Sequence, residues 1–146
     1  MNVEPQPRVL LVDDEWMMVE VMTAVLRKLS FDEIDFAADG AAALKMLQER
    51  EYGLVVSDLT MQPMTGLELL HAVRRNPALK DLPFILTTTA THAQHAAAAK
   101  RLGVDAFLLK PFTPAQLADK IAAARRRTSR ASGSRNDEAA DGESDG

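Results

Sequence analysis

Five short apolar runs, each followed by a longer stretch of helical periodicity, restrict this chain to essentially one class of fold. The runs at 9–12, 34–37, 53–57, 84–87 and 106–109 are strand-length, and their apolar residues fall largely on consecutive positions. Strands covered on both faces read that way. Between them the period changes. Over 15–29, Val19, Met22, Val25, Leu26 and Leu29 recur on one helical face, and over 66–75 Leu67, Leu70 and Val73 do the same. Asp39 can cap a helix over 41–50, and Thr113 can cap one over 114–126 with Pro114 at its first position. An alanine-rich helix over 94–102 ends at Gly103, and Asn76-Pro77 stops the one before it. Five βα units in series predict an α/β fold, with a doubly wound parallel sheet of five strands and helices on both faces.

The fold class makes the ends of the runs informative. Ligands of open parallel sheets bind outside the carboxyl ends of the strands. Here the first run ends in Asp13-Asp14, the third in Asp58, the fourth in Thr87-Thr88-Thr89, and the fifth in Lys110-Pro111. Three carboxylates and one ammonium therefore gather at one sheet edge. An aspartate can attack phosphorus and become an acyl phosphate. Attack by an anion on an anionic donor needs charge neutralisation. Mg²⁺ supplies it with only one or two carboxylates, because it keeps several of its waters. Asp14 and Asp58 can bind such an ion directly and Asp13 through water, while Lys110 and a threonine hydroxyl serve the phosphoryl oxygens. Each piece alone has a plainer reading: Asp13-Asp14 as a helix cap, Asp58 as a turn residue, Lys110 as a surface charge. Their convergence on one edge favours the joint reading.

Composition removes the rival chemistries. The 146 residues, 47% hydrophobic, suit one domain with a core. The absence of cysteine excludes disulfides, zinc–thiolate sites and thiol nucleophiles. A net charge of −4 argues against nucleic acid or membrane as a direct partner. No apolar stretch approaches the ~20 residues of a membrane span, and Met1-Asn2-Val3-Glu4-Pro5 does not start a signal peptide, so a cytoplasmic location is expected. From Arg125 onward the chain holds five Arg and five acidic residues and almost nothing apolar, so 127–146 reads as a disordered charged tail.

These motifs together resemble the receiver domain of two-component response regulators, in particular the chemotaxis-type members that consist of a receiver alone. The resemblance runs from about Arg8 to Ala124. It rests on Val-Asp-Asp-Glu at 12–15, Ser-Asp-Leu-Thr-Met at 57–61 with Gly66, Thr-Thr-Thr-Ala at 87–90, and Lys110-Pro111-Phe112. It implies a flavodoxin-like fold with strand order 2-1-3-4-5 and five helices, within a receiver at 8–126 preceded by an extension at 1–7. It also implies phosphorylation of Asp58 by a sensor histidine kinase or phosphotransfer protein. Asp13, Asp14, Asp58 and the backbone carbonyl of Thr60 would ligate Mg²⁺, Lys110 would pair with the phosphoryl group, and the Lys110–Pro111 peptide bond would be cis. Thr88 matches the switch hydroxyl, with Thr89 as its rival because it directly precedes Ala90. Phe107 matches the switch aromatic and lacks the hydroxyl of the tyrosine frequent there. The effector surface would comprise the fourth helix, fifth strand and fifth helix. The expected protein is a switch and not an enzyme, apart from slow self-dephosphorylation.

Two departures from the family pattern stand out. Gln62 replaces a proline frequent four residues after the acceptor, with Pro63 one place later. Thr89 replaces a smaller residue. The three histidines, His71, His92 and His95, read as solvated surface, and the arginines at 125–130 as a solubilising segment. Two other functions fit parts of the pattern. One is an adaptor of the same fold that ignores phosphorylation. The other is a phosphatase of the haloacid dehalogenase type, which needs a second Asp where Thr60 stands. If Thr88 is the switch hydroxyl, a threonine at 89 narrows access to the phosphoryl group, so Thr89→Ala is expected to shorten the lifetime of the phosphorylated protein. Decay followed by phosphate release tests this, and an unchanged lifetime would count against it.

Overall fold

The computed structural model describes residues 6–61 and 63–138. Strands β1 (Val9–Val12), β2 (Ile34–Ala37), β3 (Leu54–Asp58), β4 (Phe84–Thr89) and β5 (Ala106–Lys110) alternate with helices α1 (Trp16–Lys28), α2 (Gly40–Glu49), α3 (Gly66–Arg75), α4 (Ala96–Arg101) and α5 (Pro114–Glu138). The sheet is parallel throughout, in the order β2-β1-β3-β4-β5, which is the flavodoxin-like arrangement. The order reverses between β1 and β3. The crevice at that switch point is where such sheets take ligands.

The continuous apolar runs result from burial on both faces. Along β1, Leu10 and Val12 face one core, with Val55, Phe84 and Leu86 and the inner sides of α2 and α3. Val9 and Leu11 face the other, with Leu54, Val56, Ile85, Leu26 and Leu117 beneath α1 and α5. Alternate residues serve opposite layers, so no position in the strand is left to solvent. The caps form as the residues predict. Asp39 accepts from the Ala42 amide at 2.8 Å, and Thr65 and Glu68 close a reciprocal box at the start of α3. Thr113 and Gln116 do the same ahead of α5.

A buried ion pair fastens the amino edge of the sheet. Asp105, its side chain fully buried, accepts from Arg74 at 3.0 Å and from the Phe84 amide at 2.8 Å. Arg74 also donates to the carbonyls of Gly103 and Leu82, at 2.9 and 2.7 Å. This network locks α3 to the starts of β4 and β5.

Two helices depart from expectation. The fourth begins only at Ala96, because a 3-10 turn at Ala90–His95, broken by non-helical His92, occupies the residues before it. The fifth does not end near Arg126 but continues to Glu138, so residues 127–138, expected to be disordered, are helical. No proline after Pro114 interrupts that helix. The remainder of the charged tail, 139–146, lies outside the described residues, as does Gln62.

Gly66 shows how tightly the carboxyl edge is built. Its amide donates to the Leu59 carbonyl at 2.9 Å, closing the loop after β3. A Cβ there would press on the Asp58 carbonyl oxygen and come within 2.8 Å of Leu86. Because the obstacle is backbone, Gly66→Ala is expected to cost about 2 kcal/mol. Urea denaturation measures this, and a loss under about 0.5 kcal/mol would show that the loop yields.

Candidate functional site

Three strands bring the charged residues together. Asp58 closes β3 at the centre of the sheet, Asp13 follows β1 beside it, and Lys110 closes β5 two strands away. The long lysine reaches back past the end of β4. Its Nζ stands 3.1 Å from Asp58 Oδ1 and 3.4 Å from Asp13 Oδ2. Asp13, Asp58 and Lys110 are largely shielded from solvent, whereas Asp14 is exposed at the mouth. Asp13 also accepts from the Glu15 amide at 2.9 Å through Oδ1, a turn bond just ahead of α1, whose N-cap Glu15 makes no side-chain cap. One carboxylate oxygen from each of Asp13, Asp14 and Asp58 lies within 4.8 Å of the others.

The charges do not balance. Burial raises the pKa of Asp58, Lys110 offsets that only in part, and Asp13 raises it further. Burial likewise raises Asp13, against the Glu15 amide and Lys110. For Lys110, burial pulls downward, but Asp58 and Asp13 outweigh it and hold the ammonium above its ordinary value. One ammonium against three close carboxylates leaves an excess of negative charge where water is scarce. An all-oxygen donor set of this kind fits a hard divalent cation.

The threonines separate by their places on β4. Thr88 is 1% exposed, and its Oγ1 has no hydrogen-bond partner. Thr89 is exposed and pairs in register with Lys110. Thr60 is exposed two residues past Asp58, with its hydroxyl 3.5 Å from Asp58 Oδ2. Phe107 is half-buried on β5, opposite Leu86, and packs on the core beneath α2 and α3. The Lys110–Pro111 bond is cis. His71 is exposed, while His92 and His95 are partly covered with their rings 6.2 Å apart.

Trp16 follows the acidic pair in sequence, and the structure joins it to an exposed apolar surface that charge and motif patterns do not mark. Trp16, Met17, Val21 and Phe36 are 57, 75, 53 and 46% exposed, and Trp16 meets Phe36 edge-on at 5.4 Å. The sequence does carry a signal for it. Trp16, Met17 and Val21 fall off the Val19–Met22–Leu26 stripe that α1 buries.

The model for the response regulator receiver domain matches residues 9–122. The chain belongs to the response regulator receiver family. Its relatives include chemotaxis protein CheY of Pseudomonas aeruginosa, 37% identical over 114 residues, covering 78% of this chain and 92% of that protein. CheY-3 of Vibrio cholerae is 35% identical, covering 78% and 88%. Among solved structures, the chemotaxis response regulator CheY4 of Vibrio cholerae superposes with a TM-score of 0.73 at 32% identity, covering 80% of this chain and 97% of that one. A response regulator from Chloroflexus aurantiacus gives 0.76 at 28%, covering 83% and 100%. The chain is thus a CheY-type receiver of two-component signalling. No helix among its described residues is long and apolar enough to cross a membrane.

The excess charge sets the pH response of the metal-free receiver. With folded pKa values above the unfolded value of 3.8, Asp58 and Asp13 hold protons in the folded state that the unfolded chain has already released. Their contribution is fully present below the unfolded value and is lost as pH rises through the folded ones. In chelator, Asp58→Asn is expected to match the parent at acid pH and exceed it near pH 8 by about 1 kcal/mol. Saturating Mg²⁺ narrows the gap by stabilising only the parent's complete site. Urea titrations across this range, with and without Mg²⁺, check the sign. A variant less stable than the parent at alkaline pH would refute the charge imbalance.

Proposed function

We propose that this receiver accepts a phosphoryl group on Asp58 from the phosphohistidine of a sensor histidine kinase or phosphotransfer protein and then changes the surface it offers an effector. The observation that carries the reading is the buried, unpartnered Thr88 hydroxyl on β4, one residue past the Thr87 that pairs in register with Asp58. A buried hydroxyl without a partner is unfavourable, and an incoming phosphoryl oxygen would supply one.

Lys110 occupies Asp58 Oδ1, which leaves Oδ2 as the attacking atom. Its bond to phosphorus forms as the phosphorus–nitrogen bond of the donor breaks, and the imidazole leaves with the electron pair and takes up a proton. Asp13, Asp14, Asp58 and the carbonyl of Thr60 would hold Mg²⁺, which supplies charge neutralisation for the phosphoryl oxygens. Lys110 then has a second anion to pair with, and Thr88 is drawn toward the phosphoryl group. Phe107 repacks into the space that Thr88 leaves, so a charge change at the edge becomes a packing change between β4 and β5. The effector reads α4, β5 and α5, where Leu109 is exposed. The donor must cover the site while it reacts. The apolar face of Trp16, Met17, Val21 and Phe36 is the adjacent surface suited to holding it. The reading is of a switch with slow self-dephosphorylation and no turnover of its own.

Incubation with Mg²⁺ and acetyl phosphate is expected to add one phosphoryl mass to the parent and none to Asp58→Ala. Intact mass spectrometry reads both. An unmodified parent, with folding verified by circular dichroism, would end the proposal.

A further inference from the structure

The turn between β2 and α2 contains no site residue, yet it touches both loops that carry the proposed cation ligands. At its start, the Ala37 carbonyl accepts from the amide of Asp13 at 3.1 Å. At its end, the Gly40 amide donates to the Met64 carbonyl at 3.3 Å, in the loop that holds Thr60. Gly40 is the first residue of α2, so its amide is one that the helix itself cannot satisfy, and Met64 is the partner that takes it. The approach is as close as backbone permits. A Cβ on Gly40 would lie 2.7 Å from Met64 Cγ and 2.9 Å from both Met64 Cβ and the Met64 carbonyl oxygen. Gly40 is also buried, and Asp39 pins the turn by capping α2.

We infer that residues 37–40 form a strap that sets the spacing between the Asp13–Asp14 loop and the Thr60 loop, and that Gly40 is a positioning residue for the cation. The inference rests on the proposed Mg²⁺ site. β1 and β3 are already fixed by the sheet, but Asp13, Asp14 and Thr60 all lie beyond its last rungs. The strap joins one of those loops to the other from outside the cluster, through the Ala37 carbonyl and the Gly40 amide. Mg²⁺ demands near-ideal octahedral geometry with short ligand distances, whereas Ca²⁺ tolerates longer and irregular ones. A site whose two loops are held at a fixed spacing therefore discriminates between the ions, and one whose spacing has slipped discriminates less.

The test is cation binding to the unphosphorylated protein, followed by amide NMR shifts of Asp13, Asp14 and Thr60. Gly40→Ala, which forces Met64 outward, is expected to weaken Mg²⁺ binding roughly tenfold, as loss of an outer support does at metal sites. Ca²⁺ is expected to weaken less, so the Mg²⁺/Ca²⁺ affinity ratio falls. Met64→Ala introduces no clash, removes the Cγ that packs on Gly40, and is expected to lower the same ratio by a smaller factor. It carries the test alone if Gly40→Ala does not fold. General destabilisation would weaken both ions alike and leave the ratio in place, which would overturn the strap. Unchanged affinities in both variants would also overturn it. A parent protein that binds no Mg²⁺ would instead remove the functional reading, and the strap with it.

Discussion

Among the described residues, the ammonium of Lys110 is the positive charge placed between the buried carboxylates Asp13 and Asp58, and it spans the sheet from β5 to β1. It is too little. Asp13 and Asp58 both remain harder to ionise than free aspartates despite its presence, because burial costs more than one shared cation returns. The metal-free edge is therefore held in an electrostatically unfavourable state by the rest of the fold. Such an arrangement persists only where the surrounding structure over-determines it, and that condition is what the remaining architecture meets.

It is met from two directions. The strand interiors are apolar on both faces, so two cores grip the sheet and fix where the last residue of each strand emerges. At the amino edge, Asp105 Oδ2 takes both Arg74 and the Phe84 amide, and the pair anchors β4 and β5 at their starts. The two ends of the same strands thus differ in kind. One carries an ion pair of equal and opposite charge, while the other carries excess charge and the unpartnered hydroxyl of Thr88. In the proposed switch, Thr88 and Phe107 move at the carboxyl edge while the Arg74–Asp105 contacts hold the amino end.

Much of this was legible because it depends on period and on strand ends. The apolar run at 9–12 and the short Ile-Asp-Phe-Ala run at 34–37 mark strands whose limits the structure reproduces, and the caps at Asp39 and Thr113 follow from residue type alone. Asp13, Asp58 and Lys110 converge because a parallel sheet puts the ends of its strands on one side. What was not legible depends on three-dimensional neighbours. The choice between Thr88 and Thr89 stays open in a run of identical residues. In the structure Thr88 is enclosed and Thr89 emerges beside Lys110. The extension of α5 past Arg126 has no apolar stripe to announce it, so composition pointed to disorder instead. The exposed face of α1 is built from Met and Val, residue types that usually mean core.

The contact between Gly40 and Met64 is the extreme case of that limit. Gly40 carries no chemistry, and nothing in the sequence pairs it with a methionine in another loop. Its effect comes from having no side chain at a place where two backbones meet. Functional geometry at this edge therefore has two sources. The residues that would bind the ion and the phosphoryl group are charged, lie at strand ends and can be named from the sequence. The residues that hold those groups at a fixed spacing are small and buried, and the packed chain is what reveals them. A cation as demanding of geometry as Mg²⁺ makes the second source as consequential as the first.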